Sequence, residues 1–144
     1  SADTPRAAVA KGAIAAGAYA VNDVTGLKYD SKMADVAAKA GVSMIIGAHS
    51  KAPATGRMVS TLKALKKSIS LASEAGIKDV MIDPSIGFFR QEGKNPFFTK
   101  MTDMPWYARD IEILSNLHKL ATLRKPICLA PSTIRFAAPP RVSG

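Results

Sequence analysis

A parallel β-sheet covered by helices is the α/β architecture this sequence predicts, and three observations carry the prediction. Short, continuously apolar runs alternate with segments whose apolar residues recur at spacings of three and four. Ala16-Gly17, Ala40-Gly41 and Ala75-Gly76 each close an Ala-rich stretch just before an apolar or β-branched run. Glycine past a helix end is the usual left-handed stop. Polar residues then recur where the apolar runs end. The order is αβαβαβαβ, which leaves a doubly wound sheet or a (β/α)8 barrel as the candidates.

Thr4 is an N-cap candidate and Pro5 suits a first helical position, so the first helix is predicted from there to about Gly17. A strand follows from Tyr19 to Val24. Asp30 opens the second helix, with Met33, Val36, Ala37 and Ala40 on one face before Gly41, and Val42 to Gly47 is the second strand. The third helix, about Met58 to Ala75, places Val59, Leu62, Leu65, Ile69 and Ala72 inward, with Lys63, Lys66 and Lys67 largely off that stripe. The strand Val80 to Asp83 comes next. After an irregular stretch from Phe88 to Pro105, a fourth helix runs from Trp106 to Leu123 with Ile111, Leu114, Leu117 and Ala121 inward, and Pro126 starts a strand through Ala130. The stretch 133–144 contains Pro139-Pro140 and no periodicity, so it reads as an irregular tail to a barrel segment over 1–132.

At 144 residues, 47% apolar and 22% charged, the chain suits one packed unit and not a disordered one. Four βα units are about half of a barrel of roughly 250 residues, so a complete barrel does not fit. No apolar run reaches the roughly 18 residues of a membrane span, and the N-terminus lacks signal-peptide order; the reading is soluble and cytoplasmic. A single cysteine, Cys128, fits a reducing compartment and excludes a Cys-rich metal site. The net charge of +9 suits phosphate-bearing molecules, nucleic acid or acidic partners, but the lysines are scattered, so a solvated basic surface is the favoured reading. Nucleic acid is disfavoured further, because no phosphate loop or nucleic-acid-binding motif is present.

Functional groups of parallel α/β folds gather at the carboxyl ends of the strands. Asp3 lies where a strand before the first helix would end, Asn22 and Asp23 end the next, His49 follows the second predicted strand, and Asp83 ends the third. In Asp83-Pro84-Ser85-Ile86-Gly87-Phe88 a carboxylate ends an apolar run and is followed by residues that let backbone approach a ligand closely. A carboxylate beside an amide such as Asn22 can grip a planar heterocycle that shows adjacent donors and acceptors. Taken singly, Asp83 and Asn22-Asp23 also suit loop or capping roles.

These residues resemble a known family, the pterin-binding (β/α)8 barrels, and within it dihydropteroate synthase and its archaeal-type relatives. Ser1-Ala2-Asp3-Thr4 resembles the Ser-x-Asp-Thr at the end of the third barrel strand, and Val21-Asn22-Asp23-Val24-Thr25-Gly26 resembles the Asn-Asp segment of the fourth. Asp83-Pro84-Ser85-Ile86-Gly87-Phe88 is similar to the family's Asp-Pro-Gly-Ile-Gly-Phe, with Ser85 replacing a glycine; 114–129 is similar to the helix and strand seven. The resemblance covers about residues 1–132 and implies part of a TIM barrel, about strands three to seven.

It further implies that Asp3, Asn22 and Asp83 contact a pterin, with Asp3 stabilising positive charge on the ring and its methylene carbon, and Val24 and Phe88 packing near the ring. The implied reaction joins a pterin methyl diphosphate to p-aminobenzoate with loss of pyrophosphate. Mg²⁺ is expected with the diphosphate, its family protein ligand lying outside the matched stretch. The family's Ser-Arg-Lys after strand seven is not kept: Ser132 is followed by Thr133-Ile134-Arg135, leaving Arg135 as a shifted substitute. The chain therefore reads as a fragment, with a homodimer or a partner chain completing the barrel. The alternatives are a methyltetrahydropterin-dependent corrinoid methyltransferase and a non-catalytic pterin-binding half-barrel.

The remaining candidates have plainer readings. His49 reads as a loop histidine, His118 as a surface or core-edge one, and Cys128 as a buried inert thiol. Lys51, Arg57, Arg90, Lys94 and Lys100 read as solvated loop cations, and Phe97, Phe98 and Trp106 as a lid or packing surface.

Overall fold

The computed structural model describes residues 1–49, 57–89, 102 and 104–130. The readings of Lys51, Arg90, Lys94, Lys100, Phe97 and Phe98, the Trp106 side chain, Arg135 and the tail lie outside the described residues.

The described elements are β1 (Ala2–Asp3), α1 (Ala7–Ala15), β2 (Ala20–Asp23), α2 (Met33–Ala40), β3 (Ser43–Gly47), α3 (Met58–Glu74), β4 (Val80–Asp83), α4 (Trp106–Ser115) and a 3₁₀ helix (Leu117–Leu123). All strand pairs are parallel and follow chain order, β1-β2-β3-β4. Crossovers of one hand between successive neighbours put every connecting helix on the same face, whereas a doubly wound sheet reverses its order and is covered on both. Burial alternates to match. Val21, Met44, Ile46, Val80 and Ile82 are buried toward the helices, while Asn22, Ser43, Ile45 and Met81 on the opposite face are half-buried. The chain is therefore a segment of a (β/α)8 barrel, and its half-buried face is the inner wall.

The predicted last strand is present as one rung. Ile82 bridges Ile127; the Ile82 N–H donates to Pro126 O at 2.9 Å and the Cys128 N–H to Ile82 O at 2.8 Å. Counting from β1 as barrel strand three, this rung belongs to strand seven.

The helices begin or turn differently from their sequence signals. Thr4 does not cap α1: its hydroxyl accepts the Arg6 N–H at 3.1 Å, and the helix starts at Ala7, whose N–H donates to Asp30 Oδ2 at 2.8 Å. Asp30 in turn does not open α2; it precedes the helix and accepts the Lys32 N–H at 3.0 Å, so one carboxylate ties both helix entries together. These two N–H donors hold its pKa below the usual 3.8.

On α3 the predicted stripe holds at Leu65 and Ala72, with Leu62 and Ile69 partly buried against the core, and fails at Val59. Val59 is 79% exposed, and the buried face is Met58, Thr61, Leu65, Ser68 and Ala72. The helix is turned so that two hydroxyls point inward, where Thr61 meets Arg109 and Ser68 meets Lys28. On α4 the predicted Ile111 is 50% exposed and Ala121 is also exposed, while Ile113 and Leu120 are buried. The α-helix ends at Asn116 and tightens into a 3₁₀ helix, so the inward spacing changes from about four to three: Leu117, Leu120, Leu123.

Candidate functional site at the carboxyl rim

Parallel register sets Asp3 beside Asn22 and Gly47 beside Asp83. Period-two alternation turns Asn22 and Asp83 to the inner face and the intervening Val21 and Ile82 to the helices. The Asn22 amide Nδ2 donates to Asp3 Oδ2 at 3.3 Å. Asn22 Oδ1 is buried and has no hydrogen-bond partner among the described residues.

Asp83 is 9% exposed. Its Oδ1 accepts the Ser85 N–H at 2.7 Å. Burial raises its pKa above 3.8; the Ser85 N–H and the Arg109 guanidinium act in the opposite direction, and the Asp3 charge adds to the rise. Asp3 and Asp83 thus feel each other across the cleft, with Asn22 bonded to the first. The three residues picked from sequence converge on one rim, and together they offer acceptors and negative charge to a planar, donor-bearing ligand on which positive charge can develop.

Val24 is half-buried at this rim, and its backbone is fixed by an unusually close approach. A Cβ on Gly47 would lie 2.2 Å from Val24 O, so only glycine lets the loop after β2 cross the end of β3. Phe88 is 42% exposed, whereas its neighbour Phe89 is 1% exposed, edge-on to His49 with centroids 5.3 Å apart. His49 is accordingly a buried packing histidine as well as a loop one.

Asp23 parts from its neighbour Asn22. It points outward, wholly buried, and accepts the Thr25 N–H (2.9 Å), the Thr25 hydroxyl (2.6 Å) and the Leu27 N–H (2.9 Å). Cys128 departs from the buried-thiol reading. It is half-buried on the inner wall, and desolvation, followed by the nearby Asp83 charge, raises its pKa. Its neighbours Ile127 and Leu129 take the core side instead. His118 and Arg57 are exposed, as the plain readings have them.

Three functional or supporting residues were not read from the sequence. Arg109 and Asp110, both fully buried, reach from α4 to the loop after β4, and Lys28, in the loop after β2, donates through Nζ to Ser68 Oγ at 2.6 Å. Burial pulls the Lys28 pKa down to about 8, against the raising effect of Asp23. A signal for Arg109 exists in hindsight: it stands four residues before the buried Ile113, an inward helical position carrying a charge.

Among the described residues no three His, Cys, Asp or Glu side chains come together as a metal seat. No described helix is long and apolar enough to cross a membrane. A groove of about 530 Å³ on the outer surface, lined by Lys11, Ile14, Val36 and Lys39, lies between α1 and α2, away from the rim.

Comparison with known proteins gives one consistent answer. The family described as pterin binding enzyme matches residues 1–143. A dihydropteroate synthase of Clostridium beijerinckii is 36% identical over 135 residues, covering 92% of this chain and 45% of that protein. One from Bacillus subtilis is 32% identical over 140 residues, covering 94% and 44%. Among solved structures, the Clostridium difficile dihydropteroate synthase in the presence of pteroic acid aligns with a TM-score of 0.70 and 31% identity, covering 87% of this chain and 43% of that one. The Xanthomonas albilineans enzyme in complex with 7,8-dihydropteroate aligns with a TM-score of 0.69 and 25% identity, over 87% and 44%. The chain spans less than half the length of each of these relatives.

Proposed function

Starting from the fact that this chain belongs to the family of pterin-binding enzymes, we propose that it is the pterin-holding part of a dihydropteroate synthase-type transferase. In that reaction the C–O bond between the pterin methylene and the diphosphate breaks, pyrophosphate leaves, and the amine of p-aminobenzoate forms the new C–N bond and then loses a proton. The observation that carries the reading is that Asn22 Oδ1, a buried acceptor with no partner among the described residues, shares one inner wall with the desolvated Asp83.

Asp83 Oδ2 and Asn22 hold the edge of the pterin ring through its ring and amino N–H groups. Asp3 stands beside Asn22 and places a second negative charge on the cleft, where it stabilises the cation that develops as the diphosphate departs. Val24 and Phe88 border the ring at the rim. Mg²⁺ belongs to this reading only as a companion of the diphosphate, and no residue of this chain is assigned to it. The half-buried inner wall and the β1 edge suit a partner chain, or a second copy, that completes the barrel. A cytoplasmic setting agrees with the single cysteine.

Titration calorimetry with pteroic acid tests the reading. The folded chain is expected to bind saturably, and Asp83→Asn to weaken binding by about 100-fold, the order seen when one partner of a buried charge-assisted pair is removed. A folded chain with no saturable binding would sink the assignment.

A further inference from the structure

Beneath the rim lies a buried cation that donates to two successive carbonyls of the loop following Asp83. Arg109 is wholly buried. Its Nη1 donates to Ser85 O at 3.0 Å and to Asp110 Oδ1 at 3.2 Å; its Nη2 donates to Thr61 Oγ1 at 3.3 Å and to Pro84 O. The guanidinium also stacks 3.8 Å from the Phe89 ring centroid. The adjacent Asp110 accepts the Gly87 N–H at 2.8 Å. Two neighbouring residues of α4 therefore grip Pro84, Ser85 and Gly87 from below.

The gripped loop needs holding. Ser85 sits at φ +60°, in the left-handed region where a non-glycine residue costs on the order of 1 kcal/mol. Every polar atom of Ser85 is engaged: its N–H on Asp83 Oδ1, its carbonyl on Arg109, and its hydroxyl accepting the Ala48 N–H at 3.3 Å. Among the described residues, the hydrogen bond that the Asp83 carboxylate accepts comes from this strained residue.

We propose that Arg109 is the positioning residue of the rim site: by forking onto the Pro84 and Ser85 carbonyls it holds the Ser85 N–H against Asp83 and so fixes the direction in which the second carboxylate oxygen meets a ligand. The inference rests on the pterin-site reading above and extends it to a residue that touches no ligand. The fork requires arginine, since a lysine ammonium is a point donor and cannot span two successive carbonyls in one plane. Arg109 also acts on Asp83 through space, its charge opposing the rise that burial imposes. Among the described residues, the other ionisable groups facing Asp83 are Asp3 from β1 and Cys128 from the segment after the 3₁₀ helix; those facing Arg109 are Asp110, Asp83 and Glu112. Burial lowers the Arg109 pKa to about 10, which keeps it a cation at neutral pH.

The test compares Arg109→Lys and Arg109→Met with the unaltered chain, by pteroic acid titration between pH 5 and 8.5, ¹³C-carboxyl NMR of Asp83 and thermal melting. Arg109→Lys keeps the charge and loses the fork; about tenfold weaker binding with an unshifted Asp83 midpoint is expected. Arg109→Met loses both; binding at least as weak, with the Asp83 midpoint displaced upward by about one pH unit, is expected. A lower melting temperature with unaltered affinity and midpoint would mark Arg109 as merely structural and overturn the proposal. If Arg109→Met does not fold, Arg109→Lys decides: full affinity overturns, weakened affinity supports. If even the unaltered chain fails to bind pteroic acid, the pterin reading fails, and the Asp83 midpoint in the variants still decides whether Arg109 governs that carboxylate.

Discussion

Two loops of this molecule open with an aspartate at the end of a strand, and the chain uses them in opposite ways. After β2, Asp23 faces the helices; three donors of its own loop occupy both its oxygens, and no part of it is exposed. After β4, Asp83 faces the inner wall, and among the described residues its own loop donates to one oxygen, Oδ1. Both loops turn through left-handed residues, Gly26 and Leu27 in the first, Ser85 and Gly87 in the second. The same local chemistry therefore gives a staple or a binding group, and the face of the sheet decides which. A carboxylate turned outward must be satisfied by the chain, because nothing else reaches it; one turned inward can leave an oxygen for a ligand.

The comparison breaks most visibly at the staple. Asp23→Ala leaves the Thr25 N–H, the Thr25 hydroxyl and the Leu27 N–H buried without their acceptor, and a loss of about 3 kcal/mol in urea unfolding is expected. Equal stability in the variant would show that the loop re-satisfies itself and that the two aspartates do not differ as described.

Thr25→Val sharpens the same point at smaller cost. It removes the hydroxyl donor and keeps both N–H bonds, so a loss of about 1.5 kcal/mol is expected, with pteroic acid affinity unchanged. An affinity loss here would tie the staple to the ligand site.

The smallest effect has the opposite sign. Asp83 is held above its unfolded pKa of 3.8, so between 3.8 and its folded value the native state binds more protons than the unfolded one, and stability falls as pH rises through that window. Asp83→Asn removes this cost. Its melting temperature is expected to exceed that of the unaltered chain at pH 7 and to converge with it below pH 3.8, even as pterin affinity drops. A destabilised Asp83→Asn at pH 7 would mean that the carboxylate serves the fold as Asp23 does.

Strand ends were legible in the sequence because apolar runs and turn residues are local signals. Asp3, Asn22 and Asp83 each close an apolar run, and parallel register brings them to one rim. The same reading joined Asp23 to Asn22 as a pair, and the fold separates them to opposite faces. It also placed Cys128 in the core, although Ile127 and Leu129 take the core side and turn Cys128 to the inner wall beside Asp83. Helical spacing marks Arg109 as an inward position, but its role was not legible because the carbonyls and hydroxyl it meets lie 24, 25 and 48 residues away.

What the sequence by itself determined is the kind and order of the elements. Apolar period, alanine-rich helices and the glycine stops at Gly17, Gly41 and Gly76 act over a few residues, and all three glycines take positive φ as such stops require. Only the tertiary structure decided which way the helices turn and what ends them: the Thr61 and Ser68 face of α3, the capping of α1 by Asp30, the grip of α4 on the loop after β4. Each depends on a polar group that had to find a buried partner far along the chain. Such pairings carry no local pattern, because the cost of leaving either partner unsatisfied exists only once the helices have closed over the sheet.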